Sequence, residues 1–514
     1  MLPRRRRTRV LLAALGLVLV AGAVAAIAVY RTAVVDPGNV SNPEVEFDAE
    51  PPPPEPPPRD RSQWPLYGFS KDHRRFYRPP RRLPIRGAWK MVWRHRAPAL
   101  LEFPPVIYRG SIYQLADNGV IFALRKNTGR KRWRRDLGHL SASSPAIGGG
   151  SLYVTLLERR RGVRAGRVVS LWLDGGRLKW SRNLPARSES SPLLHRGRIY
   201  FGTEGGTLYC LNAHNGRTVW RYQADGAIKG SPTLSNGKLY FGDYGGHVHA
   251  VRLSNGRRVW EAAPAARALR SGRFYATAAV AFGRVYIGST DGRMYSLSAR
   301  TGRLAWARQT GHYVYSSAAV HAVPRVGPTV FFGSYDGHLY ALNARTGAVR
   351  WRHRSGGKIS GGATIVGRAV FFADLGKRVT IGLSLATGRV FFRRKPGAFD
   401  PIVSDGRHLF QTGRSSLTAL LPAAEARRVL RERRERARER RERARERRER
   451  EGARGRERAR ERRAGERRRA RARARRRAER RAERRAKARA LRRCRRHTTR
   501  AARRRCARRV ERRF

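Results

Sequence analysis

Cysteine is scarce: Cys210, Cys494 and Cys506 are the only three in 514 residues. No disulfide framework can hold the main body together, so packing must. Cys494 and Cys506 stand near the end of the chain and can bridge in an oxidising space, whereas Cys494 with His497 is too sparse for a metal site. Acidic residues are also few, 37 against 113 basic ones, leaving a formal charge of +76. That charge points either to polyanionic partners or to the codon bias of a GC-rich genome, since arginine supplies 102 of the basic residues.

Long apolar runs are lacking except for one. Val10 to Tyr30 carries no charge over 21 residues, enough to span about 30 Å of hydrocarbon as a helix. Arg4 to Arg7 and Arg9 precede it and place the N-terminus in the cytoplasm. The expectation is a single-pass anchor with an extracytoplasmic body. The alternative is a signal peptide cleaved near Ala23 to Ala28, which would leave the protein secreted. Residues 31–63, with the run EPPPPEPPPRD, read as a stiff polyproline-like linker.

From Trp64 to about Pro422 the sequence repeats every 40 to 47 residues. Four copies, opening at Gly110, Gly197, Gly237 and Gly283, each place a Trp 23 positions after that Gly. Within a copy, apolar and polar positions alternate as in half-buried strands, and Gly205-Gly206, Asp291-Gly292 or Asp336-Gly337 supply hairpin turns. Four short antiparallel strands per copy make a propeller blade. The anchoring aromatics are Trp93, Trp133, Trp180, Trp220, Trp260, Trp306, Trp351 and Phe392, which predicts eight blades. As scaffold, one large ring per blade buries much area at a fixed place. The last copy, from Pro401, runs out before its Trp strand, so Ala88 to His95 should complete it and close the ring.

The small residues that open the copies, Ser144, Ser191, Ser231, Thr277, Ser317 and Gly362, would ring one mouth of the central channel. They either relieve crowding at the axis or line a funnel with hydroxyls and backbone groups. After residue 423 the chain is almost pure Arg, Glu and Ala, with 46 basic and 14 acidic residues from 425 onward. A helix supported by Arg–Glu pairs is expected to fray after about Ala464, where acid thins out, or the tail is disordered. No apolar seam supports a coiled coil. The chain thus divides into a basic segment (1–9), an anchor (10–30), a linker (31–63), a propeller (64–423) and a charged tail (424–514).

The segments LNAHNGRTVW, LSARTGRLAW and LNARTGAVRW resemble the tryptophan-docking motif of pyrroloquinoline quinone (PQQ) proteins, and WPLYGFSKDHRRFY resembles the lead-in before such propellers. The resemblance implies an all-β, eight-bladed PQQ-like fold shared by alcohol dehydrogenases and by non-enzymatic scaffolds of outer-membrane assembly. Family enzymes hold PQQ with Ca²⁺, an Asp base and usually a disulfide between adjacent cysteines. This sequence has no adjacent cysteine pair, and its blade acids, among them Glu204, Asp243, Asp291 and Asp336, fall in or beside turns. No catalytic, cofactor or metal residue is assigned. The expected function is a non-catalytic module binding a protein or an anionic envelope polymer, anchored to the membrane. Nucleic acid is not an expected partner. The alternative is a PQQ- and calcium-dependent dehydrogenase acting on alcohols or sugars.

Overall fold

The computed structural model describes residues 39–49, 64–80, 83–84, 87–264, 272–399 and 402–514. Eight antiparallel sheets form the body. Blade 1 runs from Val106 to Asp136, blade 2 from Ala146 to Asn183, blade 3 from Leu193 to Gln223 and blade 4 from Thr233 to Ala262. Blade 5 covers Ala279 to Gln309, blade 6 Ala319 to Arg354 and blade 7 Thr364 to Arg394. Blade 8 joins both ends of the repeat region: Ile402–Ser404, Leu409–Thr412 and Ser416–Pro422 receive Trp89–Arg96 as their outer strand. Trp93 pairs with Ala419 there, so the expected closure is present and blade 8 has its four strands.

Local sequence explains each blade. Gly206, at φ 74°, turns the second strand into the third where a side chain would be strained. In blades 1 to 7 the third and fourth strands slip register directly before the docking aromatic; in blade 3, Cys210 pairs with Trp220 but Leu211 pairs with Thr218. A bulge of this kind twists the strand and aims the ring at the next blade. The apolar positions fill successive interfaces: Tyr200, Leu208 and Phe241 in one, Trp306, Val330 and Phe332 in another.

Residues 428–514 form a second compact unit. The long helix Ala423–Cys494 is followed by a turn and the short helix Arg500–Arg513, capped by Thr499 and joined to the long one by a Cys494–Cys506 disulfide. The expected fraying after Ala464 is not seen. Pairs such as Arg475–Glu479 recur beyond that point, and the intervening Ala and Arg are strong helix formers without them.

The expected transmembrane helix is corrected. Among the described residues no helix is long and apolar enough to cross a membrane, because both helices are built largely from arginine, glutamate and alanine. The single-pass topology and the membrane-anchored localisation are therefore not carried forward; Val10–Tyr30, on which they rested, lies outside the described residues. Part of the stretch expected to be linker also has structure: Val40–Ser41 adds a fifth strand to blade 5.

Candidate functional site at the channel mouth

The docking aromatics sit between blades. Each indole N–H donates to a backbone carbonyl of the following blade: Trp93 to Lys126, Trp133 to Leu173, Trp180 to Ala213 and Trp220 to Leu253, at 2.9–3.2 Å. Trp260, Trp306 and Trp351 do the same to Ala299, Ala344 and Leu385. Each ring also lies against one glycine of that blade; a Cβ on Gly129, Gly176, Gly216, Gly256, Gly302, Gly347 or Gly388 would fall 2.5–2.9 Å from it. Phe392, which has no N–H, packs edge-on against Phe371. It faces blade 8, where the chain breaks between two distant segments and supplies no glycine turn of the usual kind. These residues are structural joints between blades.

The residues at the mouth bond from one blade to the next, and Ser231, Thr277, Ser317 and Gly362 also line a cavity there. Ser144 N–H donates to Ser191 Oγ, Ser231 N–H to Thr277 Oγ1 and Thr277 N–H to Ser317 Oγ, at 2.9–3.1 Å. Ser144 Oγ reaches back to Pro104 O. Gly362 is small for a different reason: a Cβ there would meet the Arg75 guanidinium at 2.5 Å.

Arg75 belongs to the lead-in, Trp64 to Tyr77, which bonds in turn to the inner strands of blades 1, 2, 4, 5, 6 and 7. Its carbonyls accept N–H groups from the inner strands of six blades, at Trp64 (from Ile107), Pro65 (Ile147), Lys71 (Leu234), Asp72 (Val280), Arg74 (Val320) and Arg75 (Ile365). An inner strand leaves a row of backbone groups facing the channel, and the lead-in satisfies them. Arg75 also donates from Nε to Ala363 O and stacks over Tyr67, whose hydroxyl is 3.4 Å from Ser317 Oγ. Sequence periodicity could not reveal this path, because the segment follows no repeat.

A cavity of about 50 Å³ at the mouth is lined by Tyr67, Glu102, Glu189, Lys229, Tyr275 and Tyr315 among others. Lys229 Nζ bridges Glu189 Oε1 at 2.6 Å and Glu204 Oε1 at 2.8 Å. Burial opposes the lysine charge, but the two carboxylates outweigh it and hold the ammonium above its usual range. Burial raises Glu189 despite that partner, and burial with the neighbouring Glu189 and Glu102 raises the Tyr275 hydroxyl well above 10.

Around this pit lies a group of aromatics that sequence reasoning missed. Tyr244, Tyr275, Tyr313, Tyr315 and Tyr335 touch one another in a chain of ring contacts 5.0–6.5 Å between centroids. Lys358 lies over Tyr335 and Arg273 over Tyr244, while Tyr313 is 38% exposed. The available signal was the linker before each inner strand, which reads SESS before blade 3 but HYVYSS before blade 6.

A drug-sized ligand needs on the order of 300 Å³ or more, and a cavity of about 50 Å³ admits a water or two. Lys229 stands between the two carboxylates of this cavity and neutralises them in part. Among the described residues, the one group with metal-ligand spacing, Asp225, His247 and Glu261, lies elsewhere, on blades 3 and 4, with Glu261 engaged by Arg258 at 3.0 Å.

Eight blades, seven docked by Trp and one by Phe392, closed by an N-terminal strand define the PQQ-like propeller class. The family model of the outer membrane protein assembly factor BamB matches residues 89–196, 164–337 and 335–446, and the chain belongs to that family. Among solved structures, BamB from Moraxella catarrhalis superposes with a TM-score of 0.52 at 18% identity, over 65% of this chain and 98% of that one. The quinohemoprotein alcohol dehydrogenase ADHIIG from Pseudomonas putida HK5 gives 0.59 at 13% identity, over 71% and 81% of the two chains. A europium-containing methanol dehydrogenase gives 0.57 at 12%, over 72% and 92%. At these identities the likenesses establish the fold alone. No curated protein matches the sequence at a significant level.

Proposed function

We propose that this propeller is a non-catalytic module that binds a partner protein, holds no PQQ, and uses the mouth over blades 4 to 6 as its docking face. The observation that carries the reading is the lead-in: Trp64 to Tyr77 bonds along the inner strands of six blades, and the cavity that its Tyr67 helps to line holds only about 50 Å³. The tyrosine group supports it, since rigid, amphipathic rings with cations beside them are enriched at protein interfaces. The family match to an assembly factor agrees with this reading. Anionic polymers are a separate expectation resting on the exposed arginines of residues 428–514, whose binding should weaken with salt.

The test is calorimetric titration of the full chain with PQQ and Ca²⁺, alongside dye reduction with alcohols and sugars. No heat of stoichiometric uptake and no dye reduction are expected. Uptake at one equivalent, or turnover, overturns the reading.

A further inference from the structure

Blade 5 differs from the other blades at its outer edge. Among the described residues it alone carries an added strand there. Val40 pairs with Ala307 and Ser41 with Trp306, Asn42 N–H donates to Ala305 O at 2.6 Å, and Gln309 N–H donates to Asn39 Oδ1 at 3.1 Å. The segment then crosses the end of the blade to the turn at Phe282, where Asp48 N–H donates to Phe282 O. Val45 is buried, and Phe47 stacks on Phe282 at 5.6 Å.

The recognition is specific as well as apolar. Arg284 is 1% exposed, and its Nε and Nη2 donate to the carbonyls of Glu46 and Val45. Ser298 Oγ donates to the Glu46 carboxylate, which also faces Arg300. A buried guanidinium is costly unless its donors are all met. Arg284 Nη1 is buried and has no hydrogen-bond partner. The site therefore offers one more donor than the chain's own segment uses, and that segment pairs through only two strand residues.

We propose that the outer edge of blade 5 is a peptide-binding site for an extended, acidic strand of a partner protein, and that residues 39–48 occupy it as an internal competitor. Strand addition supplies the main-chain bonds, the Val45 pocket and the Phe282 ring supply apolar selection, and Arg284 with Arg300 selects acid. In a chain of charge +76 an acidic strand is also the electrostatically favoured ligand. The inference rests on the protein-binding reading, but its test uses neither PQQ nor the channel mouth, so each can fail without the other.

A fluorescein-labelled peptide of sequence NVSNPEVEFD, matching residues 39–48, is titrated against three full-length chains and followed by anisotropy. These are the wild type, a Val45→Asp/Phe47→Ala variant whose own segment is expelled, and Glu46→Arg, which expels it through the exposed side of the contact. A tethered competitor acts at an effective concentration of about 1 mM, so a released-edge Kd of about 10 µM makes wild-type binding about 100-fold weaker. Both variants should bind at least tenfold more tightly than wild type, and a shuffled peptide of equal charge should bind at least tenfold more weakly than the native one. Equal binding by all three chains, or by the shuffled peptide, overturns the proposal.

Discussion

The contact between each docking indole and the glycine of the next blade can be weighed by one added methyl group. Gly347 and Gly197 share nearly the same left-handed conformation, φ 72° and 71°. A Cβ on Gly347 would stand 2.8 Å from Trp306, whereas a Cβ on Gly197 meets nothing within 4 Å. Gly197→Ala should therefore cost only the conformational penalty of a left-handed alanine, about 1 kcal/mol. Gly347→Ala should cost that and the overpacking of a buried indole, about 1–3 kcal/mol more. Trp306 is 1% exposed and held by its N–H to Ala344 O at 2.9 Å, so it cannot swing aside freely. Urea unfolding of the full chain, followed by tryptophan fluorescence, reads the difference. Equal destabilisation by the two substitutions would refute the idea that the indole fixes the spacing of neighbouring blades.

Deleting residues 64–97 should abolish a soluble, cooperatively melting domain. The deletion removes the outer strand of blade 8 and the acceptors of inner-strand N–H groups from six blades. Each buried donor left unmet costs about 1–3 kcal/mol, and together they rival a total stability of about 5–15 kcal/mol; a monomeric truncation with one sharp melting transition would contradict this. A pH effect follows from His73, which burial, assisted by Arg75, pushes down to about 3. The unfolded chain protonates it near 6.5 while the folded chain does not, so its contribution is present above pH 6.5 and declines toward pH 3 by about 1.4 kcal/mol per unit. His321, lowered to about 4 by burial with Arg74 and Arg78, acts in the same sense. His73→Gln should make stability fall less steeply between pH 6 and 4 in denaturant titrations; an unchanged slope would remove His73 as a cause.

The ring was legible because its information is periodic. The Gly-to-Trp spacing, the hairpin glycines and the missing last strand of the Pro401 copy led to eight blades and to the closure by Trp89–Arg96. The lead-in and the strand at Val40–Ser41 were not legible, since neither repeats and both find their partners more than 40 residues away. At the mouth, chemical type left two readings open, and Ser231, Thr277, Ser317 and Gly362 both line the cavity and serve the ring. Serines that could line a funnel donate and accept around the ring, and Gly362 is small because Arg75 passes over it. In the tail, the count of acids understated how far alanine and arginine sustain a helix to Cys494.

The lead-in has a consequence for how the chain is made. It is synthesised before every blade it touches, yet its hydrogen-bonding partners are spread from Ile107 to Gly367. While translation proceeds, Trp64 and Pro65 find blades 1 and 2 early, whereas Lys71 to Tyr77 must wait for blades 4 to 7 and Trp89 to Arg96 for the last strand. Only after Pro422 has emerged can the first strand find the last. Maturation is therefore a late, long-range event with high loop-closure entropy, and in that interval the exposed strands are open to capture by other chains.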